Sequence, residues 1–468
     1  MTALAIDQPQ GLRTPRNHAV LLVQVFAATV MIFPSDFVFK AVGAGGYVAA
    51  LVSYFLLLAW ITATIFGLHD PFERRSPVRM AICALWISSL LSYALMNRGL
   101  LTAEQQAAAD RWLIQVAGVS GVILVASECL ITMEDVRRVL RVLCWGGAFC
   151  GVVAALQFKF AYDVTPYIKD VLPGFSVNEA ATANTGIGSR GSFNRVPGTA
   201  IDPIELGASA SMLLPLAVYM AMHDAARPAW RRWLPVLCIA VCIPASVSRS
   251  AFLGVAVAMG VFIACMRPAQ RLASMGAGVL AVAAIFMTAH GLLGTLRDYF
   301  EAGTDDPSIA HRVNNYGYVE SLVRQAPWFG QGGGTYIPDA LHILDNQYLT
   351  STIELGLVGL AALSFFFLWP AIAALVARAR TADPEIRDLC AALAGAALAA
   401  TVCSVTFDSL TFPMFVNVQA LVVGLIGAVW LIVGQASSVP SAADLPQDRI
   451  NRSVIPRLSV APEPAREN

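Results

Sequence analysis

Three arginines stand in three separate polar stretches of an otherwise apolar chain: Arg195 in SRGSFNRVPGTAIDPIELG, Arg249 in PASVSRSAFLG, and Arg312 in HRVNNYGYVESLVRQ. Planar guanidiniums grip phosphate oxygens two at a time and stabilise negative charge without a metal. Arg190 and Arg324 lie in the same stretches and are further candidates. Beside them stand groups able to take a proton from a hydroxyl: Asp345 first, with His342 and His311 as alternatives. Asp202, Asn346, Tyr348 and Glu354 are the polar residues expected to support them. Anion binding beside a proton acceptor suits displacement of a phosphorylated leaving group.

These residues need a scaffold, and composition names its class. With 57% hydrophobic and 13% charged residues, the chain reads as an all-α polytopic membrane protein. About 20 apolar residues cross a bilayer. Twelve windows qualify: 19–33, 47–68, 78–96, 112–132, 139–158, 204–222, 233–246, 250–266, 272–293, 349–376, 389–407 and 413–433. The expected organisation is a tail at 1–17 and nine spans over 18–293 with an outer loop at 161–203. A large outer loop at 294–348, three spans over 349–434 and a disordered tail at 435–468 follow.

Basic residues are retained on the cytoplasmic side. The short connections carry Arg74 and Arg75, Arg137 and Arg138, Arg227, Arg231 and Arg232, Arg267 and Arg271, and Arg378 and Arg380. Both termini are therefore expected inside and the long polar loops outside. A formal net charge of zero hides this asymmetry and argues against nucleic acid as a partner. The nine cysteines fall inside the predicted spans without metal-ligand spacing, so they read as packing residues, and no metal or cofactor is expected.

Local signals place the candidates. Asp202 and Pro203 read as a helix cap and start, with an arginine nearby where an anion can meet a helix N-terminus. Asp306 and Pro307 read the same way, opening an amphipathic helix with Ile309, Tyr316, Val319 and Val323 on one side and an end near Ala326. A solvated face is the plain alternative for Arg324, lipid snorkelling for Arg249, and helix capping for Asp345. FGQGGGTY offers backbone able to approach a ligand, or a simple turn. The run AVGAGGYVAA suggests close helix packing, and Asn97–Arg111 reads as an ordinary connection. There is no internal repeat and no matched pair of broken helices, which counts against a transporter.

In order and spacing, RVPGTAIDPIELG, SVSRSAFLG and HRVNNYGYVESLVRQAPWFGQGGGTY followed by DNQYLTSTIELGLVGL resemble the O-antigen ligase and polymerase family of bacterial membrane glycosyltransferases. The resemblance implies a GT-C-like helical fold in the bacterial inner membrane and a glycan donor on undecaprenyl pyrophosphate. The acceptor would be a sugar hydroxyl of a glycan or lipid-linked glycan; its direct displacement of the pyrophosphate would invert the anomeric centre. By matching positions it makes Arg195, Arg249 and Arg312 the pyrophosphate clamp. The chain departs from the family's pattern at Asp345, where ligases usually carry histidine, and at Ile204, usually asparagine. Asp345 is similar in placement to the acid proposed for related peptidoglycan polymerases. A flippase or transporter of a related amphiphile is the alternative.

The topology is testable by labelling single cysteines in a cysteine-free background. Thr304→Cys should react from outside intact cells and Ala382→Cys only after permeabilisation; the reverse pattern would overturn the orientation.

Overall fold

A computed structural model describes residues 18–170, 172–178, 187–190, 193–288, 307–338 and 342–438. Each of the twelve windows overlaps a helix: α1 (His18–Ile32), α2 (Val48–Ile65), α3 (Val78–Leu95), α4 (Ala103–Cys129), α5 (Met133–Phe160), α6 (Pro203–His223), α7 (Ala229–Ala245), α8 (Arg249–Cys265), α9 (Pro268–Thr288), α10 (Gln347–Arg380), α11 (Pro384–Cys403) and α12 (Pro413–Ser438); the end of the ninth window, 289–293, lies outside the described residues. Eight are long and apolar enough to cross a membrane: α2 to α6 and α10 to α12. α1 and α8 are shorter apolar helices. α12 runs to Ser438, four residues past the expected boundary at Gly434.

Apolar burial cannot drive helices together in lipid, so close approach of backbones must. A side chain added at Gly151 of α5 would meet the Cys238 carbonyl of α7, and one at Gly395 of α11 the Ala258 carbonyl of α8. The alanine-rich run of α11 makes the same approach possible along α8 and α10. The run AVGAGGYVAA leads into α2, which packs on α4. Residues Gly43–Gly45 form a 3-10 turn ahead of α2.

The two ends of the bundle differ. At the arginine-rich end, acids meet bases: Glu128 accepts from Arg79, Trp60 and His69, while Arg141 pairs with Asp224 and His223 with Asp388. At the other end, the loop end, the connections hold one another by hydrogen bonds. β1 (Phe37–Phe39) pairs antiparallel with β2 (Phe175–Val177), and the Lys169 ammonium lies 2.6 Å from the Asp36 carboxylate. A second hairpin, β3 (Gly188–Arg190) and β4 (Phe193–Arg195), precedes α6.

A helix over Pro307–Val323, the loop helix, confirms the start expected at Pro307; Asp306 lies outside the described residues. It ends at Val323 rather than near Ala326. Its buried side carries Asn315 and Val319, whereas Tyr316 is exposed, so the apolar face is rotated from the one the periodicity predicts. Val319 packs with Leu344 and Ile353, seating the loop helix on the start of α10.

α10 is not one helix. Gly356 takes φ +69° and ψ −170°, a conformation open to glycine, and interrupts the helical hydrogen bonding. The freed groups are met by the segment from Pro327 to Gly332. The Gln331 and Gly332 amides donate to the Ile353 and Glu354 carbonyls, and the Leu357 and Val358 amides donate to Pro327 and Trp328. Ser92 of α3 also donates to the Glu354 carbonyl at 2.8 Å. Unmet backbone groups within a membrane cost several kcal/mol each, so irregular backbone survives there only when protein satisfies it.

This corrects the reading of the glycine cluster. A Cβ at Gly330 would lie 2.2 Å from the Glu354 carbonyl oxygen, and one at Gly333 2.3 Å from the Trp112 ring. The glycines admit the protein's own helices rather than a ligand.

Gly330→Ala should lower stability by about 2–4 kcal/mol, combining positive φ with a backbone clash. Gly260→Ala, a helical position with open space around it, should be neutral or slightly stabilising. Melting in detergent measures both.

Candidate functional site

Arg195 closes β4, and its guanidinium Nη2 lies 3.3 Å from Asp202 Oδ1. The same oxygen caps α6 by accepting from the Ile204 amide at 2.7 Å, with Pro203 in the first turn, as the sequence predicts. An unstrained guanidinium–carboxylate bond is about 2.7–2.9 Å, so Asp202 orients Arg195 without saturating it. Its Nε is buried and has no hydrogen-bond partner among the described residues.

Val196, the next residue, donates to the Ala245 carbonyl at 3.3 Å. Ala245 ends α7, and Arg249 begins α8 after a turn in which Val247 takes φ +44°. A Cβ at Gly207, one turn into α6, would touch Ser246 and Ala251. Arg195, Asp202 and Arg249 therefore share one corner of the loop end, although 54 positions separate the two arginines. Arg249 is half-buried between buried Ser248 and Ser250, so it stands at a packed helix junction rather than reaching freely to lipid.

The connection Ser404–Phe412 joins this corner to the second. Thr406 Oγ1 donates to Ser250 Oγ at 2.7 Å, and the Gln347 amide donates to the Ser404 carbonyl at 2.9 Å. Leu410 donates back to Gln347 Oε1 at 2.7 Å, and Thr350 donates to Asp408 at 2.6 Å. Tyr348 reaches the Thr401 carbonyl through its hydroxyl.

Asp345 lies at the head of this second corner, half-buried, with φ +48°. Capping of α10 belongs to Asn346, whose side chain accepts from the Tyr348 and Leu349 amides. Capping, the plain alternative for Asp345, is thus supplied by its neighbour. A left-handed aspartate is uncommon and costs of order 1 kcal/mol. His342, three residues earlier, stacks on Tyr318 of the loop helix with ring centroids 3.9 Å apart.

The loop helix reaches the same place. Asn315 donates to the Ile343 carbonyl at 3.1 Å. His311 and Arg312 precede Asn315 by four and three positions on this helix, hence on the same broad face. Their side chains, and that of Arg190 on β3, lie outside the described residues. Arg324 is not gathered with the others. It is exposed and pairs with Glu320, whose hydrogen bond raises the guanidinium's pKa above its ordinary value.

Glu354, expected to need a partner, accepts from the Tyr336 amide beside the α10 break. Glu205, which sequence reading passed over, is fully buried and joins distant helices: its oxygens accept from the Ile201, Met414 and Phe415 amides. Only its place one turn past the Asp202–Pro203 start hinted at such a role.

A cavity of about 210 Å³ lies against Leu410 and Thr411 of the Ser404–Phe412 connection. Tyr47, Tyr54, Arg111, Gln115, Thr411 and Asn417 line it, and none of the sequence candidates does. Arg111 belongs to α4, so Asn97–Arg111 is not the plain connection it resembles. Tyrosine faces, amides and one guanidinium suit a sugar. Among the described residues no group of three or more His, Cys, Asp or Glu is placed to hold a metal ion.

Residues 234–364 match the family model described as O-antigen ligase. The match runs from α7 through the α10 break, taking in Arg249, Arg312, Asp345 and Glu354; Arg195 and Asp202 precede it. No curated protein matches the chain.

Glu205→Ala would strip an acceptor from three buried amides. At about 1–3 kcal/mol for each group left unmet, the protein should melt markedly lower in detergent, and Glu205→Gln should recover only part of the loss.

Proposed function

We propose that this O-antigen ligase/polymerase-type membrane glycosyltransferase moves a glycan from undecaprenyl pyrophosphate to an acceptor sugar hydroxyl. The site would face outward from the bacterial inner membrane, where lipid-linked glycans for surface polysaccharide are joined. The observation that carries this reading is the shared corner of Arg195 and Arg249, linked through Ser404–Phe412 to Asp345 and the loop helix.

In this reading the clamp arginines bind the pyrophosphate and offset charge on the leaving oxygens as the glycosidic bond breaks. Asp202 holds Arg195 in register. Arg312 joins from the loop helix. Asp345 takes the proton from the acceptor hydroxyl as that oxygen attacks the anomeric carbon, with His342 or His311 as substitutes. One displacement inverts the anomeric centre, and the arginines meet the charge demand without a divalent ion. The cavity lined by Tyr47, Tyr54 and Arg111 would hold sugar units.

A transporter of a lipid-linked or anionic amphiphile is the second reading, and the interruption of α10 at Gly356 is what favours it. In transporters such breaks coordinate substrate. Here the backbone groups at the break are taken by Pro327–Gly332 and Ser92.

Membranes supplied with polyprenyl-pyrophosphate-linked glycan test the proposal. Arg249→Ala and Arg312→Ala should each lower transfer by about 10²–10³-fold, and Asp345→Asn by about 10²-fold or more. Full activity in both arginine variants would remove the clamp. Movement of substrate across vesicles without release of polyprenyl pyrophosphate would favour the transporter.

A further inference from the structure

The arginine-rich end contains a pocket that the transfer chemistry does not use. It lies between α5, α6 and the start of α7, and Arg141, Arg227, Arg231, Arg232, Trp145 and Asp224 are among its lining residues. Four arginines and one aspartate line it. Asp224 is shared, at 3.4 Å, between Arg141 and Arg227. Arg231 lies over the Trp230 ring, 5.0 Å from its centroid. The Nε of Arg232 is buried without a hydrogen-bond partner among the described residues.

The local helix worsens this excess. Arg231 and Arg232 occupy the first turns of α7, where the peptide dipole is positive and acids are favoured. The first turn of α7 contains no acid, and Pro228 provides no side-chain cap. Elsewhere at this end some arginines meet acids directly, as Arg79 meets Glu128 and Arg137 meets Glu385, and others donate to backbone carbonyls, as Arg271 and Arg378 do. General retention of basic residues on one side of a membrane explains arginines in connections; it does not explain a pocket that gathers four of them against a helix N-terminus.

Depth identifies the ligand's source. Trp230 and Trp233 are 63% and 43% exposed, and Leu234 and Leu237 beyond them are exposed as well. Tryptophan above exposed leucine marks the boundary between headgroups and acyl chains. A basic pocket between membrane helices at that level suits a phosphate whose tails remain in the bilayer.

We propose that this pocket binds the headgroup of an anionic phospholipid from the leaflet on the arginine-rich side. The phosphate sits among Arg227, Arg231 and Arg232, and the acyl chains lie along the exposed leucines of α7. The site is separate from the transfer site, so its occupancy does not depend on the proposed activity.

Native mass spectrometry of the full chain, exchanged from neutral detergent into detergent containing phosphatidylglycerol or phosphatidylcholine, tests it. The wild type should retain one phosphatidylglycerol and no phosphatidylcholine at equal concentration. Arg231→Gln with Arg232→Gln should weaken retention by roughly fivefold for each charge removed. Arg74→Gln with Arg75→Gln, the same charge change at the same end, should leave it intact. Equal loss in both pairs would mean diffuse attraction and overturn the site. Displacement of the lipid by millimolar inorganic phosphate alone would mean a free anion is the ligand, and would also overturn it. If the double variant does not fold, wild-type retention of phosphatidylcholine equal to that of phosphatidylglycerol is sufficient to reject the proposal.

Discussion

A helix that stops hydrogen-bonding to itself inside a membrane must find partners in the rest of the protein, and α10 does so at Gly356. The segment from Pro327 to Gly332 fills the gap, exchanging amides and carbonyls with both halves of the helix. That exchange fixes the polar loop to the bundle. The loop helix follows, because Val319 and Asn315 seat it against Ile353, Leu344 and the Ile343 carbonyl. The segment that carries Arg312 and Asp345 is thus held by backbone geometry as well as by side-chain contacts.

The opposite wall is held differently. Glu205 spans the start of α6 and the start of α12, and Gln347 and Thr350 grip Ser404–Phe412 from α10. These buried polar bonds are directional, so they set one arrangement of the connections where apolar packing in lipid would tolerate several. Arg195 and Arg249 gain their shared corner from this frame, through Asp202 and the Val196–Ala245 bond. Outside that frame, some guanidiniums of the arginine-rich end meet acids, as those of Arg79 and Arg137 do, and others meet backbone carbonyls, as those of Arg271 and Arg378 do.

Much of this was legible in the residues. Lipid imposes a length and an apolarity on a span, so each of the twelve windows overlaps a helix, eight of them long and apolar enough to cross, and Asp202–Pro203 marks a helix start by local chemistry alone. The polar stretches holding Arg195, Arg249 and Arg312 stood out for the same reason, being costly to place anywhere but a loop or a protein interior. What escaped is non-local. Glu205 meets Met414 across 209 positions, and nothing in IELG announces it. The break at Gly356 lies in ELGLVGL, an apolar run that reads as continuous helix, and the partner that permits it is 24 or more residues upstream. The glycine cluster misled because small residues admit any close neighbour, and here the neighbours are Glu354 and Trp112. Tyr316 misled because a period of 3.6 fixes which residues share a face but not which face the tertiary partner covers.

Where the donor's phosphates rest decides whether the arginines form a clamp. A structure of the full chain with a non-hydrolysable polyprenyl-pyrophosphate analogue measures this directly. The phosphate oxygens should lie within hydrogen-bonding distance, about 3 Å, of Arg195 and Arg249, with Arg312 closing from the loop helix and the Asp345 carboxylate on the side away from the leaving group. Phosphates seated beside Arg111 in the cavity against Ser404–Phe412, with Arg195 still turned to Asp202 alone, would contradict the clamp.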